Sequence, residues 1–208
     1  MARQRALDYE EKSQVILDTA AALIAANGYD RTSMASIAEA CGVSKALLYH
    51  YYEDKDSILF DIIGRNLDRD IGLITRVDQQ DLPPRARLRA MIGVLLEAFR
   101  YSSNQHQAQI GNLQLLPRSY QDVVREKERQ LAYIVARTIS EACPNLKDSD
   151  FLMPVTMSLF SMLNWQYMWF REDGPITRTQ YADFVTQLFL AGVDNFDPSA
   201  ASIEPRIT

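Results

Sequence analysis

Three features of the 208-residue sequence predict an all-α fold. Apolar residues recur every three or four positions along most of the chain, and no Val/Ile/Thr run alternates with period two. Gly and Pro fall between the periodic stretches, where they end helices. The stretches form two groups: an N-terminal helix-turn-helix head of three helices, then a body of longer, more apolar helices packed as a bundle. The expected divisions are 1–54 for the head, 55–76 for a connecting helix and 77–194 for the body. Residues 195–208 lack apolar periodicity and are expected to form a flexible tail.

The pairs Val15/Ile16, Thr19/Ala20 and Leu23/Ile24 make one apolar stripe on a helix from about Asp8 to Asn27. Gly28 stops it, because glycine tolerates the left-handed conformation beyond a helix end. Thr32 or Ser33 caps a short helix through Ala40, with Ile37 and Ala38 facing inward. Cys41-Gly42-Val43 is a tight turn, and Ser44 caps a third helix from Lys45 to about Tyr52. Asp54 caps a fourth, from Lys55 to about Arg76, carrying Leu59, Ile62, Ile63 and Leu67 at helical spacing. Beyond "QQDLPPR" the main helices are Leu88–Tyr101, about Ser119–Cys143, Asp150–Arg171 and Arg178–Val193, with a short one near Gln105–Leu113.

Composition narrows the function classes. Twenty-two Lys and Arg stand against 27 Asp and Glu, a net charge of −5, so attraction to nucleic acid or anionic lipid has to come from a local patch. Even the head up to Lys55 holds six basic residues against eight acidic ones. Cys41 and Cys143 have no metal-ligand or CxxC spacing, which suits free thiols in a reducing, cytoplasmic setting. The N-terminus "MARQRALDYEEK" has no apolar signal core. His50 and His106 are the only histidines, and no HExxH, phosphate loop or nucleophile setting occurs, which argues against a helical enzyme and against any metal or catalytic cofactor. Phe151–Phe170 runs twenty residues without a charge, long enough to span a bilayer and anchor the chain. Its Asn164 and Gln166 are costly in lipid, so a helix buried in protein is the expectation and no membrane contact is foreseen.

The stretch "CGVSKALLYHYYEDKDSIL" (Cys41–Leu59) carries the chemistry. Two short helices joined by a Gly-containing turn form the pattern whose second helix enters a DNA major groove. Val43 and Leu48 pin that helix to the core, leaving Ser44, Lys45, Ala46, Leu47, Tyr49 and His50 to look outward. Ser44 and the helix-start N–H groups can hold a phosphate. Lys45 can reach a phosphate or guanine edge, and Ala46 or Leu47 a thymine methyl. Tyr49 and His50 can donate to phosphate oxygens. Lys55 adds charge at the next helix start, Thr32 stands at the start of the second helix, and Arg3 and Arg5 form a basic arm suited to a minor groove.

Over Asp30–Asp61, "DRTSMASIAEACGVSKALLYHYYEDKDSILFD", the chain resembles the DNA-binding head of the tetracycline-repressor (TetR) family of bacterial regulators. The resemblance implies a ligand-responsive regulator, most simply a repressor, that binds double-stranded operator DNA as a homodimer. It implies that the helices near 150–171 and 178–193 form the dimer contact and that each body encloses a pocket for a small effector. Carried over by position, Ser44, Lys45, Tyr49, His50 and Lys55 are the implied DNA contacts. Cys41 replaces the usual Ala, which suits a small buried site. Leu47 replaces the common Thr or Ser, so the operator should differ at that base.

In the body, Ser158, Ser161, Met162, Trp165 and Trp169 share one sector of a helical wheel, with Thr156, Phe160, Leu163, Tyr167 and Phe170 opposite. Tyr181, Phe184, Val185, Leu188 and Phe189 give the last helix one apolar face suited to a partner. The run "LNWQYMWFREDGPI" (Leu163–Ile176) is similar to that of TetR-family members that sense acyl-coenzyme A thioesters, which implies a hydrophobic acyl-CoA effector. A non-CoA aromatic or drug-like ligand is the alternative. The expected pocket comprises Met91, Leu95, Phe99, Ser161, Met162, Trp165 and Trp169, with Arg125 (alongside Arg118, Arg129 and Arg171) for the coenzyme's phosphates.

Overall fold

The computed structural model describes residues 2–101 and 103–199, with side chains described for 9–100 and 103–199. Every regular element among them is helical: α1 (Ala2–Asn27), α2 (Met34–Ala40), α3 (Lys45–Tyr51), α4 (Lys55–Asp78), α5 (Pro84–Tyr101), α6 (Ser103–Asn112), α7 (Arg118–Ala142), α8 (Leu152–Asn164) and α9 (Arg178–Asp194). Short 3-10 turns lie at Leu113–Leu115, Pro144–Leu146 and Trp165–Met168. The all-α expectation holds. No helix among the described residues is long and apolar enough to cross a membrane.

The chain folds as two compact units, and they are not consecutive in sequence. One is Met1–Arg69 with Tyr101–Glu128; the other is Asp70–Arg100 with Arg129–Thr208. The unit that holds the helix-turn-helix also holds α6 and the first part of α7. The reason lies in side chains. Gln105 of α6 donates to Asp18 of α1 at 2.8 Å, and Asn66 of α4 donates to Gln109 of α6 at 3.1 Å. Phe60 of α4 stacks on Tyr120 of α7, ring centroids 4.3 Å apart. Of the expected α1 stripe, Ile16, Ala20 and Ile24 are buried together with Leu17, whereas Val15 is exposed and Thr19 and Leu23 are half-buried; Ile37, Leu48, Leu59 and Ile62 are buried too.

In the second unit, Leu88, Met91, Ile92 and Leu95 of α5 are buried, as are Val135 and Ile139 of α7, Leu159 and Leu163 of α8, and Val185 and Phe189 of α9. Polar pins fix the helix ends: Arg85 pairs with Asp194 at 2.6 Å, and Arg87 pairs with Glu141. Cys143 is buried and free; burial, first among the causes, pushes its thiol upward.

One helix differs from its expected course. Asp150–Arg171 is not continuous, because α8 stops at Asn164 and tightens into the Trp165–Met168 turn. Tertiary hydrogen bonds hold the tightened turn: the Tyr181 hydroxyl donates to the Met162 carbonyl at 3.2 Å. Arg178, which also donates to the Leu96 carbonyl at 3.1 Å, donates to Gln166 Oε1 at 3.2 Å. The uncharged composition led to an expectation of burial, which only one side of the segment meets in the single chain, and it could not foretell a bend that depends on α9.

Candidate nucleic-acid interface

The helix-turn-helix is built as its residues dictate. Ser33 caps α2, its hydroxyl accepting from Ser36 N at 3.1 Å while Ser33 N donates back to Ser36 Oγ at 2.9 Å. Gly42 adopts φ +65°, the left-handed conformation that lets the turn reverse without a Cβ penalty. Ser44 caps α3, accepting from Leu47 N at 3.1 Å. Its own O–H remains a donor, since a hydroxyl has both functions.

Leu48 is completely buried and fixes the inner side of α3. Ser44, Lys45, Ala46, Tyr49 and His50 are exposed on the outer side, Tyr49 at 54%, and Leu47 is half-buried. The structure therefore brings together one hydroxyl, one ammonium, one phenol and one imidazole on a single seven-residue helix. Polar groups of these kinds are suited to phosphate oxygens, and a small apolar side chain such as Ala46 to a thymine methyl.

The end of α3 is anchored by a polar cluster. Tyr52, the C-cap, lies 2.8 Å from Ser13 Oγ of α1 and donates to Asp61 Oδ2 of α4 at 2.8 Å. Arg65 of α4 donates to Asp61 and to Ser13, both at 3.1 Å, and pairs with Glu10 at 3.2 Å. Burial raises the Tyr52 phenol well above its ordinary value, and the hydrogen bond to Asp61 adds to the rise. For Arg65, burial is the largest single influence and opposes the charge, but the hydrogen bond to Asp61 together with the nearby charges of Asp61, Tyr52 and Glu10 outweighs it, so the guanidinium is held more firmly protonated. Beside this cluster, Tyr9 of α1 stacks on Tyr51 of α3, centroids 4.5 Å apart.

These contacts explain how an acidic head can present a basic helix. Glu10 is turned to Arg65, Asp18 accepts from Gln14 and Gln105, and Asp54 caps α4 by accepting from Ser57 N at 2.7 Å. Three of the eight acids are thereby engaged by partners on α1, α4 or α6.

Other sequence-predicted contacts are placed differently. Thr32 is 2% exposed, and its hydroxyl donates to the Gly28 carbonyl at 2.9 Å, closing the end of α1. Ser33 is the exposed hydroxyl of that segment, and choosing between two adjacent cap candidates was beyond sequence. Lys55 donates to the Tyr29 carbonyl at 2.7 Å and lies 3.9 Å from the centroid of the Tyr29 ring, pinning α4 to the loop after α1. The side chains of Arg3 and Arg5 lie outside the described residues.

Met91, Leu95 and Phe99 are buried within their unit, whereas Ser161, Met162, Trp165 and Trp169 of the same unit are exposed, Trp165 at 58%. Ser158 and Ser161 donate to the carbonyls four residues back, Pro154 and Met157, both at 2.9 Å, so neither hydroxyl points into a cavity. Arg125, in the other unit, is exposed and donates to Gln121 at 3.0 Å. The wheel separated the two sides of α8 correctly, but Thr156, Phe160 and Leu163 mark the inward one. On the outward one, Met153, Met157 and Trp165 form a row with Met162, Met168 and Trp169 beside it, and α9 exposes Phe184 and Leu188.

Comparison with known proteins agrees with this geometry. The profile described as "Bacterial regulatory proteins, tetR family" matches residues 16–62, and that described as "Tetracyclin repressor-like, C-terminal domain" matches residues 81–193. A TetR-family transcriptional regulator from Bordetella parapertussis superposes with a TM-score of 0.82 at 30% identity, over 88% of this chain and 96% of that one. AibR, in a crystal structure with isovaleryl coenzyme A and operator DNA, gives 0.76 at 27% identity, over 89% of this chain and 100% of that one. The transcriptional repressor KstR2 of Rhodococcus jostii is 27% identical over 187 residues, 86% of this chain and 89% of its own length. The chain spans only 30% of the length of another relative, the regulator YuxN of Bacillus subtilis. A helix-turn-helix matched at residues 16–62 and a body matched at 81–193 make this chain a member of the TetR family of DNA-binding transcriptional regulators.

Proposed function

We propose that the chain is a repressor that grips operator DNA as a homodimer and is released by a hydrophobic acyl-CoA thioester. The observation that carries the DNA half is the outer side of α3, where Ser44, Lys45, Tyr49 and His50 stand exposed while Leu48 locks the helix to the core. A dimer holding two such helices about 34–36 Å apart, one turn of DNA, enters successive major grooves.

The dimer reading rests on the exposed apolar row of α8 and α9. Trp165 and Phe184 are 58% and 56% exposed, and Met157 and Leu188 about as much. A contiguous apolar surface of this kind is unusual on an isolated monomer. A two-fold partner covers it with the same surface, side by side with itself.

The acyl-CoA reading draws on the likeness to AibR, which is solved with isovaleryl coenzyme A. Met91, Leu95 and Phe99 are spaced along one side of α5 and would supply an apolar lining for the acyl group. The thioester acts by preferring one of two head arrangements, and its differential affinity sets how far DNA binding shifts.

The test is a gel shift with DNA from upstream of the chain's own gene, titrated with acyl-CoAs and the matching free acids. Binding relieved by a thioester and not by its acid is expected. Relief only by aromatic or drug-like compounds would reassign the effector, and no retardation of any flanking intergenic DNA would overturn the DNA reading.

A further inference from the structure

The first unit contains a cavity of about 360 Å³ walled by α1, α4 and α6, and none of its lining residues belongs to α3 or to the effector residues named above. Its floor is apolar, from Leu17 and Ile62. Its walls are polar and oppositely charged: α4 contributes Arg65, Asn66 and Arg69, while α1 contributes Asp18 and Gln14. Gln105 of α6 joins the two sides by donating to Asp18 at 2.8 Å.

A cavity with guanidinium groups on one wall and a carboxylate on the other selects a ligand with two ends. Planar guanidinium donors match a carboxylate, and Asp18, which accepts only, matches a hydroxyl or ammonium donor. Carboxamides between them add donors and acceptors without net charge. We propose that this cavity binds a small hydroxy- or aminocarboxylate and thereby regulates the head.

Arg65 supplies the route to the DNA-reading helix. The same side chain that lines the cavity donates to Asp61 and Ser13, and both of those groups hold the hydroxyl of Tyr52. Tyr52 is the C-cap of α3. A carboxylate in the cavity competes with Asp61 and Glu10 for Arg65, and the change reaches the end of the recognition helix through one phenol.

The experiment titrates the full chain, without DNA, with citrate and with L-glutamate by calorimetry, using acetate at matched ionic strength as the control. Citrate or glutamate is expected to saturate one site per chain and to bind at least about tenfold more tightly than acetate, since acetate lacks the second group. Asp18→Asn and Arg69→Gln, each checked for an unchanged helical spectrum, should each weaken that binding by about tenfold. Asp18→Asn preserves shape at an exposed position, so it remains informative if Arg69→Gln fails to fold. Hydrogen exchange across residues 45–52 should change on binding in the parent protein and not in Tyr52→Phe. Binding of both compounds no tighter than acetate, or equal binding by the parent and Asp18→Asn, overturns the site. An α3 exchange pattern indifferent to bound ligand overturns the coupling.

Discussion

Ser13 and Tyr52, 39 residues apart, share a buried hydrogen bond of 2.8 Å between hydroxyls. The contact ties α1 to the C-cap of α3, and Asp61 and Arg65 complete the tie to α4. The orientation of α3 therefore depends on polar groups beneath it as well as on Leu48.

Lys45→Ala and Tyr49→Ala should abolish operator retardation while leaving the melting temperature nearly unchanged, because both side chains are exposed. Losing the Lys45 phosphate contact should also lower the salt slope of binding by about one unit per head. Leu48→Ala is the contrast: removing a completely buried leucine should destabilise the fold by roughly 2–5 kcal/mol. Fluorescence anisotropy and urea melts separate the two effects.

Titration of the tyrosines should reveal a late class. Burial is the first cause raising Tyr29, Tyr52 and Tyr181, with the hydrogen bond to Asp56 adding at Tyr29. Each folded value lies above the unfolded value of about 10. Their contribution to stability is thus complete below pH 10 and declines as pH rises toward the folded values, because the unfolded phenol ionises first. Absorbance at alkaline pH should show phenols that ionise only with unfolding. Ionisation of all ten tyrosines in a single step, with the fold intact, would contradict this.

Leu188→Glu and Met157→Glu should convert a dimer to a monomer that remains folded. Leu188 is 51% exposed in the single chain, so a carboxylate there is solvated in the monomer and desolvated only on association. Sedimentation velocity reads the mass, and an unchanged helical spectrum excludes unfolding. A parent chain already monomeric at micromolar concentration would refute the two-fold reading.

Arg178→Ala should lower stability by about 3 kcal/mol, because it leaves the buried Gln166 amide and the Leu96 carbonyl without this donor. The guanidinium also pairs with Glu172 at 2.5 Å and stacks over Phe170, 4.8 Å from the ring centroid. Thermal melts measure the loss. Arg178→Lys should restore only part of it, since an ammonium cannot serve several planar acceptors at once.

Much of the candidate site was legible in the residues. Ser44 next to a helical run, Gly42 between two short helices and Leu48 at core spacing are local signals, and the structure places all three as their chemistry requires. Thr32 and Lys55 have intramolecular partners that the sequence did not reveal, for a shared reason. Each has a nearby backbone carbonyl, of Gly28 and Tyr29, that competes with solvent for its donor, and only the folded loop brings that carbonyl within reach.

Periodicity and capping chemistry, which act within one helix, determined that the chain is helical, where most helices begin and which short helix presents Ser44, Lys45, Tyr49 and His50. Which side of α8 faces outward, where that helix tightens at Trp165, and the sharing of one unit by the head, α6 and part of α7 were decided by tertiary structure. A helix apolar on two sides carries no internal label for the one its neighbours will cover. Hydrogen bonds such as Arg178 to Gln166 and Gln105 to Asp18 exist only once distant segments have met.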